Sequence, residues 1–397
     1  MKSKFRIPLL AQILAAIALG IGAGFIFPIW AGRIFATFNA IFGQFLSFII
    51  PLIILGLVAP AIADVGKGAG KMLLVTVALA YCASLFSGFL GFFTGELTFP
   101  HLVHPGQLAD ATAEAHDLSP YFTIAMPPLM GVMTALVLAF LLGIGMVYLN
   151  GNALKRGFGE FRDIITKTIS AVIIPLLPIY IFGIFLNMTV SGQVAEILMG
   201  FAKIIGVIFV LHIFVLLFEF SVAGIVGRRN PLKMLWTMLP AYFTALGTQS
   251  SAATIPVTLR QTIKLGVDKD VAGFTVPLCA TIHMSGSIMK ITACALALMI
   301  MRGLPYDTAM FAGFICMLGI TIVAAPGVPG GSIMASLGLL SSMLGFTEAD
   351  QALMIALYIA MDSFGTACNV TGDGFIAVVV SRIFKGPLAK VAPEPRQ

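Results

Sequence analysis

Charge is scarce in this chain. Of its 397 residues, only 10% are Asp, Glu, Lys or Arg, against roughly 25% in soluble domains. So little charge cannot coat a water-facing surface, which excludes a soluble globular enzyme of the ordinary kind. Disorder is excluded by the opposite count, because 59% of the residues are hydrophobic and disordered chains are poor in apolar side chains. Metal-ligand cysteine spacing is missing too. Cys82, Cys279, Cys294, Cys316 and Cys368 lie in or beside apolar stretches and read as small buried residues. Strict polar–apolar alternation is absent, which excludes a membrane β-barrel. No phosphate-loop, nucleophile-elbow or metalloprotease pattern occurs, and no enzyme is expected.

What remains is long apolar helix. A bilayer span takes about 20 residues, and eight segments qualify: 8–28, 37–62, 72–97, 123–150, 166–190, 196–226, 273–300 and 350–381. The first follows Lys2, Lys4 and Arg6 and is read as a retained helix, not a cleaved leader. The 32 Phe, 20 Met and 41 Gly suit helices packed in lipid. The net charge of +6 is dispersed in short clusters, so no nucleic-acid partner is expected; membrane lipids are.

The positions of Lys and Arg set the topology. Clusters at Lys67/Lys71, Lys155/Arg156/Arg162/Lys167, Arg228/Arg229/Lys233, Arg260/Lys264/Lys269 and Arg382/Lys385/Lys390/Arg396 belong on the cytoplasmic side, as do both termini. The 98–122 loop has no Lys or Arg and carries Asp110, Glu114 and Asp117, so it belongs outside. Arg33 and Arg302 are the exceptions to this pattern. The apolar stretch 231–259 then has both ends inside, and 308–346, which contains no charged residue, has both ends outside. Each must enter and return. Their midpoints, Gly247-Thr-Gln-Ser250-Ser251 and Pro326-Gly327-Val328-Pro329-Gly330-Gly331-Ser332, have turn chemistry. Irregular backbone at membrane depth is tolerated only against protein or a wet cavity. The expected fold class is therefore an all-α polytopic membrane protein with eight transmembrane helices and two oppositely oriented re-entrant helical hairpins. Such opposed hairpins suit a transporter of inverted-repeat design.

The last span carries Asp362, Thr366, Asn369 and Asp373 at spacings that share one helix face. A carboxylate near the bilayer centre is costly unless paired or solvated, so this stripe suits a cation or an ammonium group. Lys290 lies deep in the seventh span, at equal cost, and is read as a partner for Asp362 or Asp373 or as a snorkelling residue. His283 stands close by, either as a proton carrier or as a neutral hydrogen-bonded ring. His212 and Glu219, seven apart on the sixth span, suggest a proton relay or a bundle pair. His101, His104 and His116 in the acidic loop read as solvated residues or, less simply, a metal site.

The run Asp362-Ser-Phe-Gly-Thr-Ala-Cys-Asn369-Val-Thr-Gly-Asp373 resembles the last-helix signature of the dicarboxylate/amino acid:cation symporter family, the glutamate-transporter family. The first hairpin resembles its serine-rich motif, and Thr281-Ile-His283-Met284-Ser285-Gly286-Ser287 an altered form of its seventh-span motif. The match is strong over about 240–384 and elsewhere rests on span pattern. The chain is similar to a divergent, bacterial-type member without the Arg that acidic substrates require.

The resemblance implies a homotrimeric elevator-type transporter in the cytoplasmic (inner) membrane. Residues 1–70 and 123–190 would be scaffold, 71–97 and 191–384 the transport domain, 98–122 an extracellular loop and 385–397 a cytoplasmic tail. It implies a substrate site of Ser250, Ser251, Ser287, Gly327, Val328, Ser332, Asp362, Gly365, Thr366 and Asn369, with Asp362 accepting the substrate ammonium. Cation coupling would involve Thr281, His283, Met284, Lys290, Asn369 and Asp373, with Na+ at Asn369 and Asp373 and at Thr281 and Met284. Na+, H+ or both are the expected coupling ions, with no organic cofactor. Gly365 replaces the family Arg, which leaves room for a neutral side chain and points to a neutral amino acid. Tyr358 and Leu85 also depart from the family pattern, while Tyr81 and Ser84 keep it. The alternatives are an organic-anion or dicarboxylate symporter using Lys290 for the carboxylate, and a passive anion channel.

Overall fold

The computed structural model describes residues 8–65, 70–106, 118–149, 151–192, 194–325, 329–386 and 388. Among these the chain forms fifteen α-helices. They are α1 Leu9–Ile26, α2 Ile29–Val65, α3 Lys71–Leu102, α4 Val132–Tyr148, α5 Ala153–Thr168, α6 Ile174–Val190 and α7 Val194–Gly227. The second half holds α8 Pro231–Thr248, α9 Ser251–Lys264, α10 Lys269–Ile282, α11 Ser285–Arg302, α12 Thr308–Thr321, α13 Gly331–Leu344, α14 Glu348–Ala360 and α15 Asp362–Lys385. One wide π turn, Ile169–Ile173, joins α5 to α6.

Among the described residues, seven helical stretches are long and apolar enough to cross a membrane: 9–26, 29–63, 71–102, 153–190, 194–227, 269–302 and 362–385. The protein is thus an integral multi-pass membrane protein. The expected fourth span is shorter than its apolar stretch. Pro127, Pro128 and Gly131 keep 118–131 out of helix, and α4 starts at Val132. The seventh and eighth spans are each broken, at His283–Met284 and at Met361.

Polar caps set the ends of the shorter helices. The side chain of Asn230 accepts from Lys233 N, that of Asp268 from Asp270 N and Val271 N, and that of Asp307 from Met310 N. Thr347 and Asp350 form a reciprocal capping box before α14. Between α8 and α9 the chain turns at Gln249, in the left-handed region at φ 53°, and Ser250 caps α9. The outer ends of this pair lie together, because Arg229 Nη1 donates to Leu265 O at 2.8 Å. The α12–α13 pair is likewise antiparallel: a side chain at Gly313, early in α12, would lie 3.5 Å from Met343, late in α13.

Packing sorts the helices by burial. Of the 18 residues of α1, 22% are buried, whereas an apolar 18-residue stretch of 269–302 is entirely buried. The helices α1, α2, α4, α5 and α6 pack on one another, and α3 and α7–α11 pack around α15. The second helix pair and α14 bridge the two groups, through α2 and α4 and through α1 and α6. Both sequence exceptions to the charge pattern are paired. Arg302 Nε is 3.2 Å from Asp350 Oδ1, and Arg33 donates to Ser119 O and sits over the Tyr121 ring.

Close helix approach depends on missing side chains. At Gly20 an added Cβ would lie 2.6 Å from Phe182 O, which is backbone of α6. Gly20→Val is expected to lose about 1–3 kcal/mol of stability through overpacking. Thermal unfolding of the detergent-solubilised variant checks this, and an unchanged midpoint contradicts the close α1–α6 contact.

Candidate functional site

Helix breaks in the second half leave backbone N–H groups without intrahelical acceptors, and at the starts of α11 and α13 side chains from another helix supply them. At the start of α11, Gly286 N and Ser287 N donate to Asn369 Oδ1 at 2.8 and 3.4 Å. These two donors fix the amide's orientation. Its Nδ2 then donates to Ser287 Oγ at 3.0 Å and Met284 Sδ at 3.3 Å. From α3, Ser84 Oγ accepts from Met284 N at 3.1 Å, and Ser87 Oγ donates to Ser285 O at 2.7 Å. At the start of α13, Gly330 N donates to Asp362 Oδ2 at 2.8 Å. The N-termini of α13 and α15 therefore meet at the Asp362 carboxylate, where positive helix-dipole ends favour an anion.

Lys290 is the other charge at this point. It is buried, its ammonium donates to Met361 O at 3.0 Å, and it lies 3.9 Å from Asp362 Oδ1. It also sits 4.0 Å above the Tyr358 ring, an attractive cation–π position. The Tyr358 hydroxyl is 3.1 Å from Ser287 Oγ, with Ser332 and Asp362 also interacting with it. One expectation is corrected here. The space beside Gly365 is not vacant, since a Cβ there would strike the Lys290 side chain. Lysine fills the volume that the missing Arg was expected to leave.

A second cluster lies along α15. The His283 ring, fully buried, bridges two carboxylates. Its Nδ1 is 3.3 Å from Asp373 Oδ1 and 3.2 Å from Asn369 O, and its Nε2 is 3.4 Å from Glu219 Oε1. Gly372 makes this possible, because a Cβ there would meet both Glu219 and His283. The resemblance assigns Na+ to Asn369 and Asp373. In this arrangement an imidazole nitrogen occupies the position between them.

Of the residues named from sequence, Ser287, Ser332, Asp362, Asn369, Met284, His283, Lys290 and Asp373 come together. Gly365 adjoins Lys290, and Thr366 turns its hydroxyl back to Asp362 O at 3.0 Å. Ser250 is engaged in capping α9, and Ser251 opens that helix. Thr281 is exposed and donates to Leu278 O. Gly327 and Val328 lie outside the described residues, as do Lys67, His116, Asp110, Glu114 and Asp117. Glu219 and His212 are not partners. His212 Nε2 is 3.1 Å from the Tyr242 hydroxyl, while Glu219 meets His283. The sequence signal for Glu219 was its buried position on an apolar span, and its partner lies 64 residues further along the chain.

Removing the amide in Asn369→Ala would strand the Gly286 and Ser287 N–H groups, at about 1–3 kcal/mol per unsatisfied buried group. The expected result is a lowered unfolding midpoint, measured with and without Asn369→Asp, which keeps the acceptor. Equal midpoints for parent and Asn369→Ala contradict the tie.

The chain matches the model of the Sodium:dicarboxylate symporter family over residues 9–383. It is similar to the Serine/threonine transporter SstT of Acinetobacter baumannii strain ATCC 17978, at 27% identity over 94% of this chain and 96% of the relative. The proteins of the same name from strains AYE and AB0057 match with the same identity and coverage.

Proposed function

The chain belongs to the sodium:dicarboxylate symporter family, and we propose that it moves a small neutral amino acid, of the serine or threonine kind, across the membrane together with sodium. Amino acid symport coupled to sodium is the activity that the family and the named relatives support. The observation that carries the neutral-amino-acid reading is Asp362. It is a buried carboxylate at the meeting of two helix N-termini, and it faces a tyrosine hydroxyl and an ammonium. An α-ammonium fits that place. A plain dicarboxylate has no group to offer it, and no arginine stands at 365 to pair with a second carboxylate.

The substrate's α-carboxylate would be held by backbone N–H groups at the tips of two re-entrant hairpins, Ser250–Ser251 and Gly327–Val328, with the hydroxyls of Ser287, Ser332 and Thr366 beside it. The hairpins enter from opposite faces, and the second acts as the outer gate. Sodium binds through Met284, the Thr281 carbonyl and the second hairpin. His283, which bridges Asn369 and Asp373, takes the place of a sodium ion there. Helices α3 and α7–α15 move as an elevator against a scaffold of α1, α2, α4, α5 and α6, in a homotrimer. The termini face the cytoplasm and the protein resides in the inner membrane.

Purified protein in proteoliposomes is expected to accumulate labelled serine or threonine under an inward sodium gradient. Asp362→Asn is expected to reduce this by about two orders of magnitude or more, as loss of a buried charge partner costs about 3–5 kcal/mol. Uptake that ignores the sodium gradient and never exceeds equilibration would instead indicate a passive channel. Competition by dicarboxylates but by no amino acid would indicate the organic-anion carrier.

A further inference from the structure

We infer that Lys290 is a tethered counter-ion which neutralises Asp362 when the carrier is empty and yields it to the substrate ammonium. The inference rests on the reading of Asp362 as the ammonium site. A carrier that works in one direction must return without cargo. In this chain the returning site contains a carboxylate buried among apolar helices, and such a charge costs several kcal/mol if it is left alone. The structure supplies a cation from within the chain. The Lys290 ammonium is 3.9 Å from Asp362 Oδ1 while Asp362 Oδ2 accepts from Gly330 N, so the carboxylate joins the lysine to the tip of the second helix pair. Carboxylate, ammonium and helix tip form one closed set in which every charge has a partner.

The lysine is held by weak tethers. Its hydrogen bond goes to one backbone carbonyl, Met361 O, and its ammonium also lies over the face of Tyr358. The direct ion pair is long, beyond ordinary hydrogen-bond length. A substrate ammonium that hydrogen-bonds Asp362 directly therefore displaces a looser rival. On its far side Lys290 borders a narrow cleft with room for about one water, lined by Phe209, His212, Met361 and Phe364. The proposal requires the ammonium to shift toward this cleft, whose lining includes Met361 and His212. Glycine at 365 leaves space for the end of the lysine side chain in the position described, since a Cβ there would meet Nζ and Cε.

Two transport modes separate this role from a merely structural one. Net uptake under a sodium gradient requires the empty return, whereas exchange of external labelled serine for internal unlabelled serine does not. In Lys290→Met, net uptake is expected to fall about tenfold or more, because a barrier raised by 1.4 kcal/mol already gives a factor of ten. Exchange is expected to fall far less. Parallel loss of both modes in a folded variant, or no loss of either, overturns the proposal. Should Lys290→Met fail to fold, the double variant Lys290→Met, Asp362→Asn decides. Recovery of folding there supports the pairing, and failure of the double variant makes Lys290 a structural residue and overturns it. A parent protein that performs neither mode with any neutral amino acid would refute the proposed function itself, a result distinct from an active parent whose variant shows no split.

Discussion

A helix broken inside a membrane exposes backbone N–H groups where water cannot reach them, and that constraint organises the second half of this protein. Four helices begin at breaks in the second half, α9, α11, α13 and α15, and three of their start points are tied by side chains described here. Ser250 caps α9, Asn369 holds α11, and Asp362 holds α13. Two of those three acceptors lie on α15. The last helix is therefore the common acceptor for breaks elsewhere in the chain, and its polar stripe has a structural task before any substrate arrives.

That double duty limits how the site works. Asn369 has its oxygen committed to Gly286 and Ser287 and its nitrogen to Ser287 Oγ and Met284 Sδ. On the proposed function, substrate or ion binding at this residue would exchange one hydrogen bond for another, so that the bonds made and broken nearly offset. A transporter benefits from that balance, because cargo held too tightly is not released. His283 shows the same economy, since one ring serves a carboxylate on α7 and another on α15.

The helical, multi-pass character was legible because charge is distributed in clusters between apolar runs, and the antiparallel pairs 231–264 and 308–344 follow from charge bookkeeping together with turn residues. The breaks at Met284 and Met361 were less legible. Nothing at Met361 resembles a turn, and the acceptors that stabilise the start of α11 come from a residue more than 80 positions away. The late start of α4 was readable in Pro127 and Pro128, but hydropathy alone outweighs them over that stretch. Glu219 and His212 share a helix face, yet seven residues separate them by roughly 10 Å along the axis, enough for each to meet a different neighbour. Pairings of that kind depend on tertiary placement and leave no local trace.

The contact between Gly365 and the lysine of α11 also bears on how such a chain can diverge. A side chain at 365 would meet the flexible end of Lys290, so the lysine would have to shift to admit one. A change at either position is therefore felt at the other, and substitutions at 365 and 290 are expected to act non-additively.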